Sequence, residues 1–240
     1  MSYNYQEYNT YLHSTNSDHN RLLKPLLTNF FNQSEYNSIL DIGCGSGYIA
    51  QVLQSTNYKG NYLGVDSDKL AVDYCKVNIK SQNYSFLQSE DFLQQKIRFD
   101  LSIFCLSACE MNSQTLENYL RRIKSDQLLI INPSTITNYY NSTISKTLSS
   151  KILSRIGVKS NWVLKAKVEN YANGFYIKHI NQNKKIKAKV YQRTTGDLLN
   201  LTHKSNWEFQ EYWNLSYTKN TNKTAPAPKF EICLFKSLSQ

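Results

Sequence analysis

A chain of 240 residues with 40% hydrophobic composition is long enough for one α/β domain with its own core, which excludes wholesale disorder. No apolar run approaches the roughly 18–20 residues needed to cross a bilayer. The polar start Met1-Ser-Tyr-Asn-Tyr lacks a basic-then-apolar leader, so the expected location is cytoplasmic.

The formal charge of +10 is unevenly placed: residues 1–145 hold 11 Lys/Arg against 13 Asp/Glu, and residues 146–240 hold 17 against 5. A basic second half suits nucleic acid, anionic lipid or an acidic substrate. Many of its lysines alternate with apolar residues, which favours a solvated surface instead. The five cysteines form no Cys-x2-Cys pair and read as reduced core thiols. Cys105 and Cys109, four apart, read as small buried hydrophobes, and no metal is expected.

In chain order, Leu22, Leu23, Leu26, Leu27, Phe30 and Phe31 fall at helical spacing over residues 19–32, with Ser17 or Asp18 as cap and Pro25 as a kink or a start. Ser38–Ile42 predicts a short buried strand, followed by the turn Asp41-Ile-Gly-Cys-Gly-Ser-Gly47 and an apolar-periodic stretch through Leu53. Asn61–Asp66 predicts a second strand ending on a carboxylate, and Asp68–Ile79 a helix. Tyr84–Gln88 is strand-like, Phe99–Leu106 a strongly apolar strand, Gln114–Ile123 helical, and Gln127–Asn132 a buried strand stopped by Pro133. Strands alternating with helices imply a parallel sheet with helices on both faces.

The pattern changes after Pro133. Residues 135–156 are polar and partly helical, and Tyr176–Ile180 with Lys185–Tyr191 predict a β-hairpin around 181–184. Thr195–Lys204 predicts a helix, and Trp207–Tyr217 and Lys229–Phe235 two long strands that pair antiparallel at one edge of the sheet.

A strand ending in Asp-x-Gly-x-Gly-x-Gly and leading into a helix permits close approach of a ligand to backbone. Asp66, 19 residues beyond Gly47, stands where a carboxylate accepts ribose hydroxyls. Gly43, Gly45 and Gly47 fall at every second residue, which departs from the G-x-G-x-x-G order of a dinucleotide site, and the Gly-Lys-Ser/Thr ending of a P-loop is absent. Ile39-Leu-Asp-Ile-Gly-Cys-Gly-Ser-Gly-Tyr-Ile-Ala50 resembles the first motif of the class I (Rossmann-like) S-adenosylmethionine (SAM)-dependent methyltransferases at nearly every position.

That resemblance covers residues 38–132 and, in outline, the tail. It implies a seven-stranded, mostly parallel sheet with an antiparallel edge strand and a lid insertion after the fifth strand. The implied division is an N-terminal lid helix and SAM-binding core at 1–134, a substrate lid at 135–193 and a closing helix and edge strands at 194–240. It further implies that the backbone of Gly43, Cys44, Gly45 and Gly47 cradles the methionine portion. Asp41 would orient the turn or the amino group, and Asp66, with Ser67, the ribose. Glu90 or Asp91, with Phe92, would meet adenine. Cys105, Leu106 and Ser107 would wall the reactive sulfonium, and Tyr8, Tyr11 and Arg21 would belong to a segment closing over SAM.

Methyl transfer from a sulfonium is an in-line displacement, so a base is needed only for an acceptor with a tightly held proton. The Asn/Asp-Pro-Pro-Tyr/Phe motif of amine-methylating enzymes is absent, since that position reads Cys105-Leu-Ser-Ala-Cys109. Asn132-Pro-Ser-Thr135 follows the fifth strand and reads as a strand-terminating turn. The candidates for a base or substrate orienter are His179, Tyr139, Tyr140, His13 and Glu110. His179 lies in a lysine-rich hairpin, and His13 and His19 either cap the cleft or lie on the surface. The favoured expectation is methylation of a small molecule or short peptide, yielding S-adenosylhomocysteine (SAH), without a metal. A nucleic-acid acceptor using the basic half is the second reading, and a non-catalytic SAM-binding partner the third.

Overall fold

The computed structural model describes residues 4–15, 17–133, 174–179, 185–191, 193, 195–215 and 230–238. Helix α1, Tyr5–Leu12, starts at Asn4, whose side chain accepts the Glu7 N–H. A π-helical turn at His19–Leu23 then runs into α2, Lys24–Asn32. Pro25 has no N–H to return to the preceding turn, and widening that turn keeps its ring off the Arg21 carbonyl. Ser17, not Asp18, caps this entry, because its Oγ accepts the His19 N–H at 3.2 Å.

The alternating core follows: β1 Ser38–Ile42, α3 Tyr48–Gln54, β2 Asn61–Asp66, α4 Lys69–Asn78, β3 Tyr84–Gln88 and the single turn α5 Ser89–Leu93. Next come β4 Arg98–Cys105, a 3-10 turn at Ala108–Glu110, α6 Ser113–Arg122 and β5 Lys124–Pro133. The expected hairpin is present as β6 Gly174–His179 and β7 Lys185–Val190, a separate two-stranded antiparallel sheet. Helix α7, Thr195–Lys204, and the strands β8, Trp207–Leu215, and β9, Phe230–Ser237, complete the described chain.

The main sheet has seven strands in the order β3-β2-β1-β4-β5-β9-β8. The first five run parallel; β9 inserts antiparallel between β5 and the outermost β8. Successive side chains of a strand feed opposite faces, so Ile39 enters one core layer and Leu40 the other. The first layer holds Leu27 and Phe31 of α2 with Ile49, Val52 and Leu53 of α3. The second holds Leu116 and Leu120 of α6, Leu198 of α7 and Trp207. Each such side chain contributes about 1.5–3 kcal/mol by burial. Strand order reverses between β1 and β4, and the crevice beyond the carboxyl ends there is where open α/β sheets bind ligands.

Most of the expected insertion, Tyr139 and Tyr140 included, lies outside the described residues, and His179 is described only as the last position of β6. Among the described residues no helix is long and apolar enough to cross a membrane.

Candidate functional site

The turn after β1 is left-handed at three positions: φ is +75° at Gly43, +52° at Gly45 and +78° at Gly47. A Cβ at Gly43 would lie 2.3 Å from Ser107 Cβ, and one at Gly47 2.1 Å from Ile79 Cδ1. A Cβ at Gly45 would meet nothing within 4 Å, because Gly45 faces the cleft. The outer glycines therefore serve packing, and the middle one leaves backbone bare for a ligand.

The turn is tied to the end of β2. Gly43 and Cys44 both donate to the Val65 carbonyl, at 2.7 and 3.0 Å. Gly45 N–H donates to Asp66 Oδ2 at 2.8 Å, and Asp68 N–H to Asp66 Oδ1 at 2.9 Å. Burial raises the Asp66 carboxyl above its ordinary pKa, and those two backbone bonds act against it. Each carboxylate oxygen still has acceptor capacity for a hydroxyl. Beneath the turn, Cys75 donates to the Gly45 carbonyl. Contact with Cys75 and burial hold the Cys44 thiol far from ionising, so it is inert.

Asp41 is 1% exposed. Its Oδ2 accepts the Tyr62 hydroxyl at 2.7 Å, while Oδ1 has no partner among the described residues. Burial pushes this carboxyl up to about 7; the Tyr62 bond lowers it and nearby Asp66 raises it further. A buried carboxylate short of partners is unfavourable unless a cation or donor arrives. Asp41 lines the cleft, so a ligand is able to supply one.

The cleft has a volume of about 720 Å³, within the ~300–1,000 Å³ usual for small-molecule sites. Helix α1 closes one side: Asn9 and Gln51 exchange amide hydrogen bonds, and Tyr5 donates to Asp68 Oδ2 at 2.6 Å. Opposite, Leu106 takes φ +62°, uncommon for leucine, as the chain leaves β4 and donates to the Ile131 carbonyl. Ser107 Oγ then donates to the Ile42 carbonyl. Burial holds the Cys105 thiol well above its ordinary pKa, so it is wall and not nucleophile. Arg193 donates to the carbonyls of Ala108 at 2.9 Å and Met111 at 2.7 Å, and Tyr191 N–H to that of Cys109 at 2.6 Å.

Of the residues expected from sequence, Tyr11, Asp41, Gly43, Cys44, Gly45, Asp66, Ser67, Cys105 and Glu110 line this cleft, as does Tyr8. Gly47 lies behind the turn against Ile79, and Arg21 is exposed away from the lining. Within α5, Ser89 turns to the cleft, Phe92 packs into the second core layer, and Glu90 and Asp91 are exposed. His13 stacks near the Tyr48 ring outside the lining. Sequence reasoning passed over Tyr5, Tyr119, Tyr191 and Phe230, four aromatics of the lining that no local motif marks. Among the described residues no group of three or more His, Cys, Asp or Glu is placed to hold a metal.

A family model described as a methyltransferase domain matches residues 33–195, more than half of the chain and the whole span of the glycine turn, Asp66 and the end of β5. The chain belongs to the class I SAM-dependent methyltransferases. This methyltransferase is 24% identical over 238 residues to a viral relative designated methyltransferase 235L, from Invertebrate iridescent virus 6; the match covers 97% of this chain and 78% of that one. The PH0226 protein of Pyrococcus horikoshii OT3 has a similar structure, with TM-score 0.61 and 15% identity, over 98% of this chain and 100% of that one. A SAM-dependent methyltransferase structure from Listeria monocytogenes gives TM-score 0.58 and 14% identity, over 90% and 96%. At these identities the two structures speak for the fold.

Proposed function

We propose that the cleft binds SAM and transfers its methyl group to a small molecule or short peptide, leaving SAH. The observation that carries this reading is Asp41 Oδ1, a buried acceptor without a partner among the described residues, beside a glycine turn whose middle residue faces open space. Asp41 would hold the α-ammonium of SAM, and the bare backbone of Gly43–Gly45 its methionine portion. Asp66 would take the ribose hydroxyls on the lone pairs its two backbone bonds leave over. Ser67 and Ser89 line the stretch beyond Asp66 and would border the adenine. Cys105 and Leu106, at the end of β4, would flank the sulfonium.

When bound, SAM supplies an electrophilic methyl group that needs only an aligned nucleophile. The protein's part is to exclude water and orient the acceptor. Helix α1 would do the first on one side, and residues 135–193, read from the sequence as a substrate lid, are proposed to do so on the other. Glu110 lines the cleft and would meet the acceptor, and Tyr139, Tyr140 and His179 stand as candidates from the sequence alone. A cleft of this volume favours a compact acceptor; the basic second half favours nucleic acid less directly, since none of its charge is placed in the cleft by the described residues.

The test is calorimetric titration of SAM into the full chain and two variants. Asp66→Ala removes a charged acceptor worth about 1.5–3 kcal/mol, so affinity falls by roughly 10- to 100-fold. Gly45→Val fills the open space and forces a β-branched residue to positive φ, and binding disappears. Unchanged SAM affinity in both variants would remove the site assignment. Incubation with labelled SAM and a metabolite extract then identifies the methylated product.

A further inference from the structure

His19 lines the cleft, yet the cofactor reading leaves it without a task. It opens the π-helical turn, a local irregularity that recurs at functional sites. Tyr48, the residue after Gly47, donates its hydroxyl to the His19 carbonyl at 2.8 Å. The imidazole stands edge-on to the rings of Tyr48 and Phe230, with centroids 5.5 and 5.8 Å away. Fully buried Ser17 accepts the His19 N–H and places its Oγ 3.4 Å from Nδ1. The ring is therefore fixed by the turn, by two aromatic edges and by a buried hydroxyl.

Strand register locates that ring relative to the chemistry. Cys105, at the end of β4, is paired with Ile131, and two residues further along β5 Pro133 is paired with Phe230. Phe230 is the residue whose ring meets His19. The imidazole thus stands over the ends of β5 and β9, one step across the sheet from the β4 end that would flank the sulfonium.

We propose that His19 is the general base of the transfer, and that the acceptor is a hydroxyl or protonated-amine compound whose proton it removes. This rests on the SAM reading above. In the tautomer that carries its proton on Nδ1, facing Ser17 Oγ, Nε2 is the basic nitrogen. As the acceptor oxygen or nitrogen attacks the methyl carbon, the carbon–sulfur bond breaks and its electron pair stays on sulfur, giving the neutral thioether. A hydroxyl gives its proton to Nε2 as the new bond forms, whereas a protonated amine gives its proton to Nε2 first, freeing the lone pair that attacks, so charge and atoms balance. Among the described residues, the ionisable groups near the ring include Asp18 beside it in the chain, Tyr48 from α3 with His13 on the other side of that ring, and Tyr11 from α1, while β9 contributes Phe230.

The experiment compares the full chain with His19→Gln and Ser17→Ala, using labelled SAM, a soluble metabolite extract and total SAH formation as readout. SAM affinity is measured separately by calorimetry, and thermal melting checks that each variant folds. Saturating SAM removes the influence of Asp41 on cofactor binding. His19→Gln is expected to lower SAH formation about 100-fold, with SAM affinity within twofold of the parent and the acid limb of the pH profile lost. Ser17→Ala is expected to keep that limb and lose a few-fold in rate. Activity of folded His19→Gln within threefold of the parent overturns the proposal, and loss of SAM affinity does so by moving His19 to the cofactor. A parent chain that binds SAM but forms no SAH defeats the transfer reading and this proposal together. Absence of SAM binding by the parent defeats the cofactor reading itself.

Discussion

Asp41 connects burial to a measurable pH dependence. Its carboxyl is pushed up to about 7 chiefly by burial, so below neutrality it is largely protonated in the free protein. An ammonium group beside Oδ1 would favour the ionised form, and SAM binding below pH 7 would then release a proton. Linkage sets the sign: affinity tightens as pH rises, by up to tenfold per pH unit, and levels off above about 7. Titrations from pH 5.5 to 8.5, in buffers of different ionisation enthalpy, read both the slope and the proton. Asp41→Asn keeps an acceptor for Tyr62 but has no charge to lose, so its profile should flatten at weaker affinity. A flat profile in the parent chain would separate Asp41 from the ammonium. Asp66, also raised, adds slope in the same direction.

At the scale of elements, legibility followed the source of each element's stability. Strands β1, β2 and β4 are apolar runs bounded by turn residues, and burial on both faces leaves them few alternatives. Helix α7 is legible to the residue, because Thr195–Lys204 is its own bounded periodic stretch. Helix α1 was not, since Tyr-Gln-Glu-Tyr-Asn-Thr-Tyr-Leu carries little apolar stripe, and what holds it is the Asn9–Gln51 exchange and the Tyr5–Asp68 bond with distant residues. In α5 a shift of one residue separates Ser89 in the cleft from exposed Glu90, a register that motif spacing does not resolve. Leu106 reaches positive φ without a glycine to announce it. The clamp at Arg193 is equally silent in sequence, and it supports a prediction. Charge-assisted bonds to the Ala108 and Met111 carbonyls hold the turn that presents Glu110. Arg193→Ala should lower stability by about 2 kcal/mol and reduce SAH formation more than SAM affinity, as denaturant melts and paired titrations will show. Equal loss in both would place the turn in cofactor binding.

Over the whole molecule, charge and site are segregated. The half that carries β1, β2 and the glycine turn is nearly balanced, while the strongly basic half carries β6, β7, α7 and the last two strands. The cleft holds Asp41, Asp66 and Glu110 inside a chain of net charge +10. A buried carboxylate–ammonium contact is screened little by salt, whereas surface lysines facing phosphates release counterions and respond steeply. SAM affinity should therefore change less than about twofold between 50 and 200 mM salt. An RNA acceptor held by 6–10 phosphate contacts would weaken by roughly 10³–10⁵ over that range. Filter binding of a labelled RNA pool alongside SAM calorimetry separates the two. RNA binding absent at 50 mM salt leaves the basic half as solvated surface and the compact acceptor in place; tight, steeply salt-dependent RNA binding would transfer the acceptor to nucleic acid, with the cofactor cleft unchanged.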